Sequence, residues 1–379
     1  MAVMKMYQIV LATLLAAAAV LVPTAPAAPA PAAKATNAVP AEIVLVDPAD
    51  ITPEKVAAWK KEGFKGVAMV LDERASLAAG QRMAKALSGK SLDLYYWIEV
   101  ARNPALAEAH PRWMASLGMH QDWQERFPKV VPPQEDEVAK TFPWVSIGYQ
   151  EAFDAQLERV ADLLKRVPPN FRGLLLNDLQ GGPSSCGCGN LQCRWAVDYH
   201  ATPTGAKIEG DDVAAKFVSS VRLQAKGKTV VPIWTTECED EDMPAKKTTN
   251  AFTTGYCGTV TCAHGLCPKD FTRQWSALAG AGREPIGILS LHREFNRARK
   301  EYGEGPAWVA RPVAYLDRIL PANGGAVFPH QKLWLVVQGA TPEEESAARR
   351  AAAQVGAGTV IVARVRMDQS YEPRVISVK

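Results

Sequence analysis

From Ala41 onward, short runs of β-forming residues alternate with amphipathic stretches, and the alternation recurs eight times. This is the pattern of parallel strands joined by crossover helices. The strands fall at 42–46, 66–71, 92–100, 173–179, 229–235, 287–292, 332–337 and 359–365. Several are continuous apolar runs, such as Val230-Val231-Pro232-Ile233-Trp234 and Leu333-Trp334-Leu335-Val336-Val337. Strands of that kind are covered on both faces. Thr52-Pro53-Glu54 and Thr341-Pro342-Glu343 each supply a capping threonine, a first-turn proline and an acid, so each opens a helix. Further helices are expected at about 75–87, 152–167, 211–225, 268–279 and 308–319. Eight strands and about seven helices predict a closed (β/α)8 barrel. An open doubly wound sheet is the alternative. The chain has neither G-x-G-x-x-G nor a P-loop, which favours closure.

The barrel begins after a different kind of sequence. Lys5, the apolar stretch Ile9–Val22 and the small residues of Ala25-Pro26-Ala27 read as a signal peptide over 1–27. The apolar stretch is short for a membrane span, although a retained anchor is the rival reading. Residues 28–40 are rich in Ala and Pro and read as a semi-rigid linker. The expected organisation is therefore a signal peptide, a linker and one barrel over 41–379, with export to the periplasm or the exterior. No later segment is apolar for long enough to span a bilayer. Net charge is +3 with both signs interspersed, which argues against a nucleic-acid partner.

Two segments interrupt the alternation, 103–150 and 237–267, and insertions of that length in a barrel are usually functional. The charge run Glu237–Asp242 reads as part of a solvated loop.

Barrel chemistry sits at the C-terminal ends of the strands. The groups there are Asp47, Asp72, Glu99, Asp178, Glu237, His292 with Glu294, Gln338 and Asp368. Most strand-end carboxylates cap loops or form salt bridges. Three stand out. Asp178 ends the run Leu174-Leu175-Leu176-Asn177 and is expected to share the face of Leu174 and Leu176, pointing into the mouth. Glu99 shares a face with Tyr95 and Trp97. Glu237 opens the loop after the fifth strand. Two carboxylates across a cleft suit glycosidic cleavage, one protonating the leaving oxygen and the other attacking the sugar or activating water. Trp97, Trp113, Trp123, Trp144, Trp195 and Trp234 are candidates for an aromatic rim, the competing reading being core or loop anchors. His110 and His292 are candidate substrate contacts, and His110 is otherwise an ordinary loop histidine.

All 7 cysteines lie between Cys186 and Cys267. Cys186, Cys188 and Cys193, with Cys238 as a fourth ligand, have the makings of a structural zinc site. Disulfides are the rival, given the compartment, with Cys257, Cys262 and Cys267 as one possible group. An odd number leaves at least one thiol outside any pairing. Both readings stand at this level.

The segment ending in Asn177-Asp178, followed by Cys186-x-Cys188-x4-Cys193-Arg194-Trp195, resembles the glycoside-hydrolase-like barrels called "hypothetical glycosyl hydrolases". Those carry an Asp at the end of the fourth strand, then a C-x-C-x-x-C loop and an aromatic residue. His110-Pro111-Arg112-Trp113 is similar to their element after the third strand, and the cysteine loop is loosely similar to the zinc site of family 42 β-galactosidases. The departures are an x4 gap between Cys188 and Cys193, Asp178 where family 42 has Glu, and Gln338 where its nucleophilic Glu stands. That clan's machinery is therefore not carried over.

The resemblance implies an exported glycoside-hydrolase-like protein with a carbohydrate ligand and no required cofactor. Asp178 is the expected nucleophile or base and Glu237 the general acid, with Glu294 as a less favoured partner. Trp97, His110, Trp113, Trp195 and His292 are expected substrate contacts. A non-catalytic glycan-binding barrel and a metal-dependent barrel using Glu99, Glu237 and His292, or the cysteines, are the rival expectations.

Overall fold

A computed structural model describes residues 40–116, 129–131, 133–179, 213–235, 275–280, 283–291, 309–322, 324–365 and 372–377. Its strands are β1 (Ala41–Val46), β2 (Gly66–Val70), β3 (Asp93–Glu99), β4 (Met114–Ser116), β5 (Glu137–Val145), β6 (Gly173–Asn177), β7 (Thr229–Thr235), β8 (Ile286–Leu291), β9 (Leu333–Gln338), β10 (Thr359–Ala363) and β11 (Glu372–Ser377). All but β4, β5 and β11 pair in parallel and close into a barrel, in the order β1-β10-β9-β8-β7-β6-β3-β2. The eight expected strands are these eight. Closure comes from β1 pairing with β10, Ala41 beside Thr359 through Leu45 beside Ala363. The chain is a (β/α)8 barrel.

Period-two alternation sends each strand's side chains to two different cores. Ile43, Leu45, Tyr95, Trp97, Leu175, Ile233, Val336 and Ile361 fill the interior. Val44, Tyr96, Ile98, Leu174, Leu176, Leu335 and Val360 face outward, under the helices. Tyr95 needs room at the floor of the interior. Its neighbours Gly66 and Gly173 give it: a Cβ on either would stand 3.0 and 3.3 Å from the Tyr95 ring.

The helices are α1 (Pro53–Lys61), α2 (Leu77–Ser88), α3 (Pro104–Ala109), α4 (Gln150–Lys165), α5 (Val213–Gln224), α6 (Arg311–Ala322) and α7 (Pro342–Gln354). The two threonine caps form as the sequence predicts. Thr52 Oγ1 accepts from the Lys55 N–H at 3.3 Å and Thr341 Oγ1 from the Glu344 N–H at 3.3 Å. Of the helix expected at 268–279, residues 275–279 lie among those described and are helical.

The excursion at 103–150 is more ordered than its sequence suggests. It contains α3, β4 and β5, and β5 is the centre of an antiparallel sheet in the order β11-β5-β4. The C-terminal β11 crosses to reach it, pairing Glu372 with Phe142 through Ser377 with Glu137. Lys140 lies in the middle of β5, only 1% exposed, with Nζ donating to the Arg112 carbonyl at 3.2 Å. A buried lysine and an internal Pro143 hide this strand from a reading based on apolar alternation. The sheet also grips the segment that follows β3. The Val145 N–H donates to the Ala101 carbonyl at 2.8 Å, and the Asn103 N–H to the Pro143 carbonyl at 3.0 Å.

Candidate functional site

Glu99 ends β3 on the inward face, two residues beyond Trp97. The Trp97 Nε1–H donates to Glu99 Oε1 at 2.6 Å. Asn177, its register partner on β6, donates from Nδ2 to Glu99 Oε2 at 2.9 Å. Both carboxylate oxygens are thus fixed by donors from the barrel wall.

Asp178 follows directly and reaches the mouth by a route the sequence does not predict. Leu174 and Leu176, whose face it was expected to share, point outward under the helices. Leu175 and Asn177 are the inward residues of β6. Asp178 instead leaves the strand at φ +57°, a left-handed backbone that aspartate tolerates better than most residues. Its carbonyl accepts from the Ala101 N–H at 3.1 Å, and its carboxyl is hydrogen-bonded to Glu99. The side chain is 2% exposed.

Burial pushes the Asp178 carboxyl well above the usual carboxylate range, and the charge and hydrogen bond of Glu99 push it further. Arg102 opposes the shift. Glu99 already accepts from Trp97 and Asn177, so it is the better seat for negative charge. Asp178 is therefore the member of the pair that favours holding a proton. This is an acid's environment rather than a nucleophile's.

A cleft of about 360 Å³ opens beside Glu99, walled by Asp72, Glu73, Arg74, Arg102 and Arg159 among others. Arg74 Nη2 bridges Asp47 at 3.0 Å and Asp72 at 2.7 Å, so the acids ending the first two barrel strands serve as ion-pair partners. Arg159, from α4, donates to the Glu99 carbonyl at 2.9 Å and pairs with Glu73 at 2.5 Å. Burial alone would raise the Glu73 carboxyl, but Arg159 holds it below the usual range. Gln338, ending β9, donates from Nε2 to the Val365 carbonyl at 2.9 Å.

The four described tryptophans of the expected rim are anchored elsewhere. Trp97 is inside the barrel, Trp144 is buried in the side sheet, and Trp234 packs with the outer core. Trp113 stacks on His110, with ring centroids 3.8 Å apart and planes 11° apart, and packs with the side-sheet cluster. His110 is exposed. Neither residue is among those walling the cleft beside Glu99. Glu237, Glu294, His292, Trp123, Trp195, Asp368 and the cysteines, including Cys186, Cys188, Cys193 and Cys238, lie outside the described residues. Among the described residues no helix is long and apolar enough to cross a membrane. Asn177 and Arg102 are the site residues that sequence reasoning missed. The register of β6 against β3 is what brings Asn177 to Glu99.

No protein-family model matches the chain, and no curated protein does. Solved structures do. A β-galactosidase from the psychrophilic Marinomonas ef1 is 12% identical with a TM-score of 0.43, covering 85% of this chain and 53% of its own. The chain thus spans about half the length of that enzyme. An α-amylase from Geobacillus thermoleovorans, solved with acarbose, is 9% identical with a TM-score of 0.41, covering 86% and 70%. D-psicose 3-epimerase from Clostridium cellulolyticum H10, solved with D-tagatose, is 11% identical with a TM-score of 0.36, covering 85% and 84%. At these identities the likeness is one of fold.

Proposed function

We propose that this is an exported glycoside-hydrolase-like enzyme acting on a carbohydrate at the C-terminal mouth of the barrel. One observation carries the reading: the buried carboxyl of Asp178, pushed towards its protonated form by burial, meets the Glu99 carboxyl where two neighbouring strands end. Hydrogen-bonded carboxyls are closer than the roughly 5 Å or more that separates the catalytic pair of a glycosidase. Glu99 and Asp178 therefore form one acid–base unit, not the two sides of a cleft. Asp178 delivers its proton to the glycosidic oxygen as the C–O bond breaks. That leaves two adjacent carboxylates, whose repulsion drives recovery of a proton from water. Glu237, from the loop after β7, is the proposed second carboxylate that attacks the sugar or activates water. The roles expected from the sequence are thus exchanged.

The test uses Asp178→Asn, Glu99→Gln and Glu237→Gln on a polysaccharide panel and on aryl glycosides. An acid is dispensable when the leaving group needs no proton. Asp178→Asn should lose 100-fold or more on natural glycosides (about the contribution of one general acid) and recover on activated aryl glycosides. Glu237→Gln should lose both. Full activity of Asp178→Asn on a natural glycoside would end the assignment.

Gln338 favours a second reading. It stands where related barrels carry a nucleophile and it cannot act as one, so a glycan-binding barrel without turnover is the rival. Saccharide binding by wild type with no cleavage selects it.

A further inference from the structure

We propose that the mouth has a side pocket for an apolar substituent of its ligand, so that the preferred saccharide carries an aryl or short alkyl group beside the sugar. The inference rests on the carbohydrate reading above and names the substrate class.

A second cavity, of about 210 Å³, adjoins the cleft beside Glu99. Asp47, Val70, Asp72 and Arg74 wall both. The two differ in character. The cleft adds Glu73, Glu99, Arg102 and Arg159 to the shared residues, so a ligand there meets charge on several sides. The second cavity adds Met69, Ala79, Met83 and Val167 among others, and its surface is mostly apolar. Among the described residues its wall holds no charged side chain beyond the three that it shares.

The sequence explains the room. Met69 lies on the outward face of β2, towards the helices, while Val70 turns to the interior. On α2, Ala79 and Gly80 carry one side-chain carbon or none, so the interval between this helix and the end of β2 is left open at their level. Met83 closes it one turn further on. Methionine adapts to irregular apolar shapes, and two of them face this space.

The partition between the cavities is tied together by its own charges. Arg74 Nη2 bridges Asp47 and Asp72, and Arg74 Nε donates to Asp72 Oδ2 at 2.8 Å. A sugar in the cleft thus has charged partners for its hydroxyls, and a group attached to it has an apolar wall on the other side of the shared residues. Water against methionine and alanine carbon is the unfavourable alternative, which an apolar substituent relieves. A cavity of about 150 Å³ with an apolar lining takes a benzene ring. The volume here therefore suits one phenyl group or a short alkyl chain.

The test is calorimetric binding of methyl, hexyl and phenyl thioglycosides of glucose, galactose and mannose, whose sulfur link resists cleavage. In at least one sugar series the hexyl or phenyl member should bind wild type tenfold or more tightly than the methyl member, a difference of about 1.4 kcal/mol. Met83→Trp and Ala79→Leu each fill the cavity from α2 and should abolish that difference while leaving the methyl member unchanged. If one of them has lost its melting transition, the other decides. Equal binding of all members, binding of none, or a preference that survives in the filled variants overturns the proposal. Turnover of the matching O-glycosides is read separately. Cleavage without any preference ends the side pocket and keeps the hydrolase reading. Preference without cleavage upholds the side pocket and ends the hydrolase reading.

Discussion

The Trp97 indole N–H lies 2.6 Å from Oε1 of Glu99, two residues further along the same strand. The adjacent Tyr96 points the other way and its buried hydroxyl has no partner. Trp97→Phe should destabilise the protein by about 2–4 kcal/mol, since it removes a hydrogen bond to a charged group and opens a cavity. Tyr96→Phe should be neutral or slightly stabilising, because it removes an unsatisfied polar atom. Denaturant melts of the pair check both. Equal losses in the two variants contradict the assigned bonding.

Asp178 makes stability depend on pH in a defined direction. Its folded value is raised, so the folded state keeps a proton that the unfolded chain releases near pH 4. Its contribution is fully present below that pH and is lost as pH rises through the folded value. Asn in its place stays neutral, tolerates the left-handed backbone and can donate to Glu99. Asp178→Asn should therefore melt at a higher temperature than wild type, by a gap that opens above about pH 4 and widens towards alkaline pH. A constant gap across the range excludes a buried proton at this position.

His330 titrates at the opposite end of the barrel. Nε2 faces Asp317 Oδ1 at 2.9 Å and Nδ1 faces the Val355 carbonyl at 2.6 Å. The hydrogen bond to Asp317 raises its ionisation range, against a smaller effect of burial. This stabilisation is complete below about pH 6.5, the unfolded value, and is lost as pH rises through the folded one. His330→Gln should lower the melting temperature at pH 5.5 and converge on wild type in mildly alkaline buffer. Scans at several pH values decide it.

The pairing of β11 with β5 predicts an effect at a distance. Proline at Val375 interrupts the ladder opposite Ala139. The loosened β5 then frees the segment from Ala101 to Asn103, and Arg102 no longer opposes the rise in the Asp178 carboxyl. Val375→Pro should shift the alkaline limb of activity to higher pH as well as lowering the melting temperature. Lower stability with an unmoved pH profile separates the side sheet from the site.

The barrel strands are legible because burial on both faces writes them as apolar runs. Glu99 and Asp178 are legible as strand-end carboxylates for the same reason. Their contact is not. It depends on the β3–β6 register and on a left-handed turn at Asp178, neither of which leaves a trace in residue type. Two of the expected rim tryptophans are lost to parity and packing: Trp234 sits on the outward face of its strand, and Trp144 is absorbed by a sheet whose partner strand lies more than 200 residues further on.

That distance has a consequence for the timing of assembly. Barrel closure waits for β10, and the grip on the segment beside Asp178 waits for β11, the last described strand to be synthesised. Contacts of such long range form late. A growing chain carries Glu99 and Asp178 long before it carries the strands that close around them. The two carboxyls are thus braced only at the end of synthesis, and a chain cut short before residue 372 would be born with the segment beside Asp178 unheld.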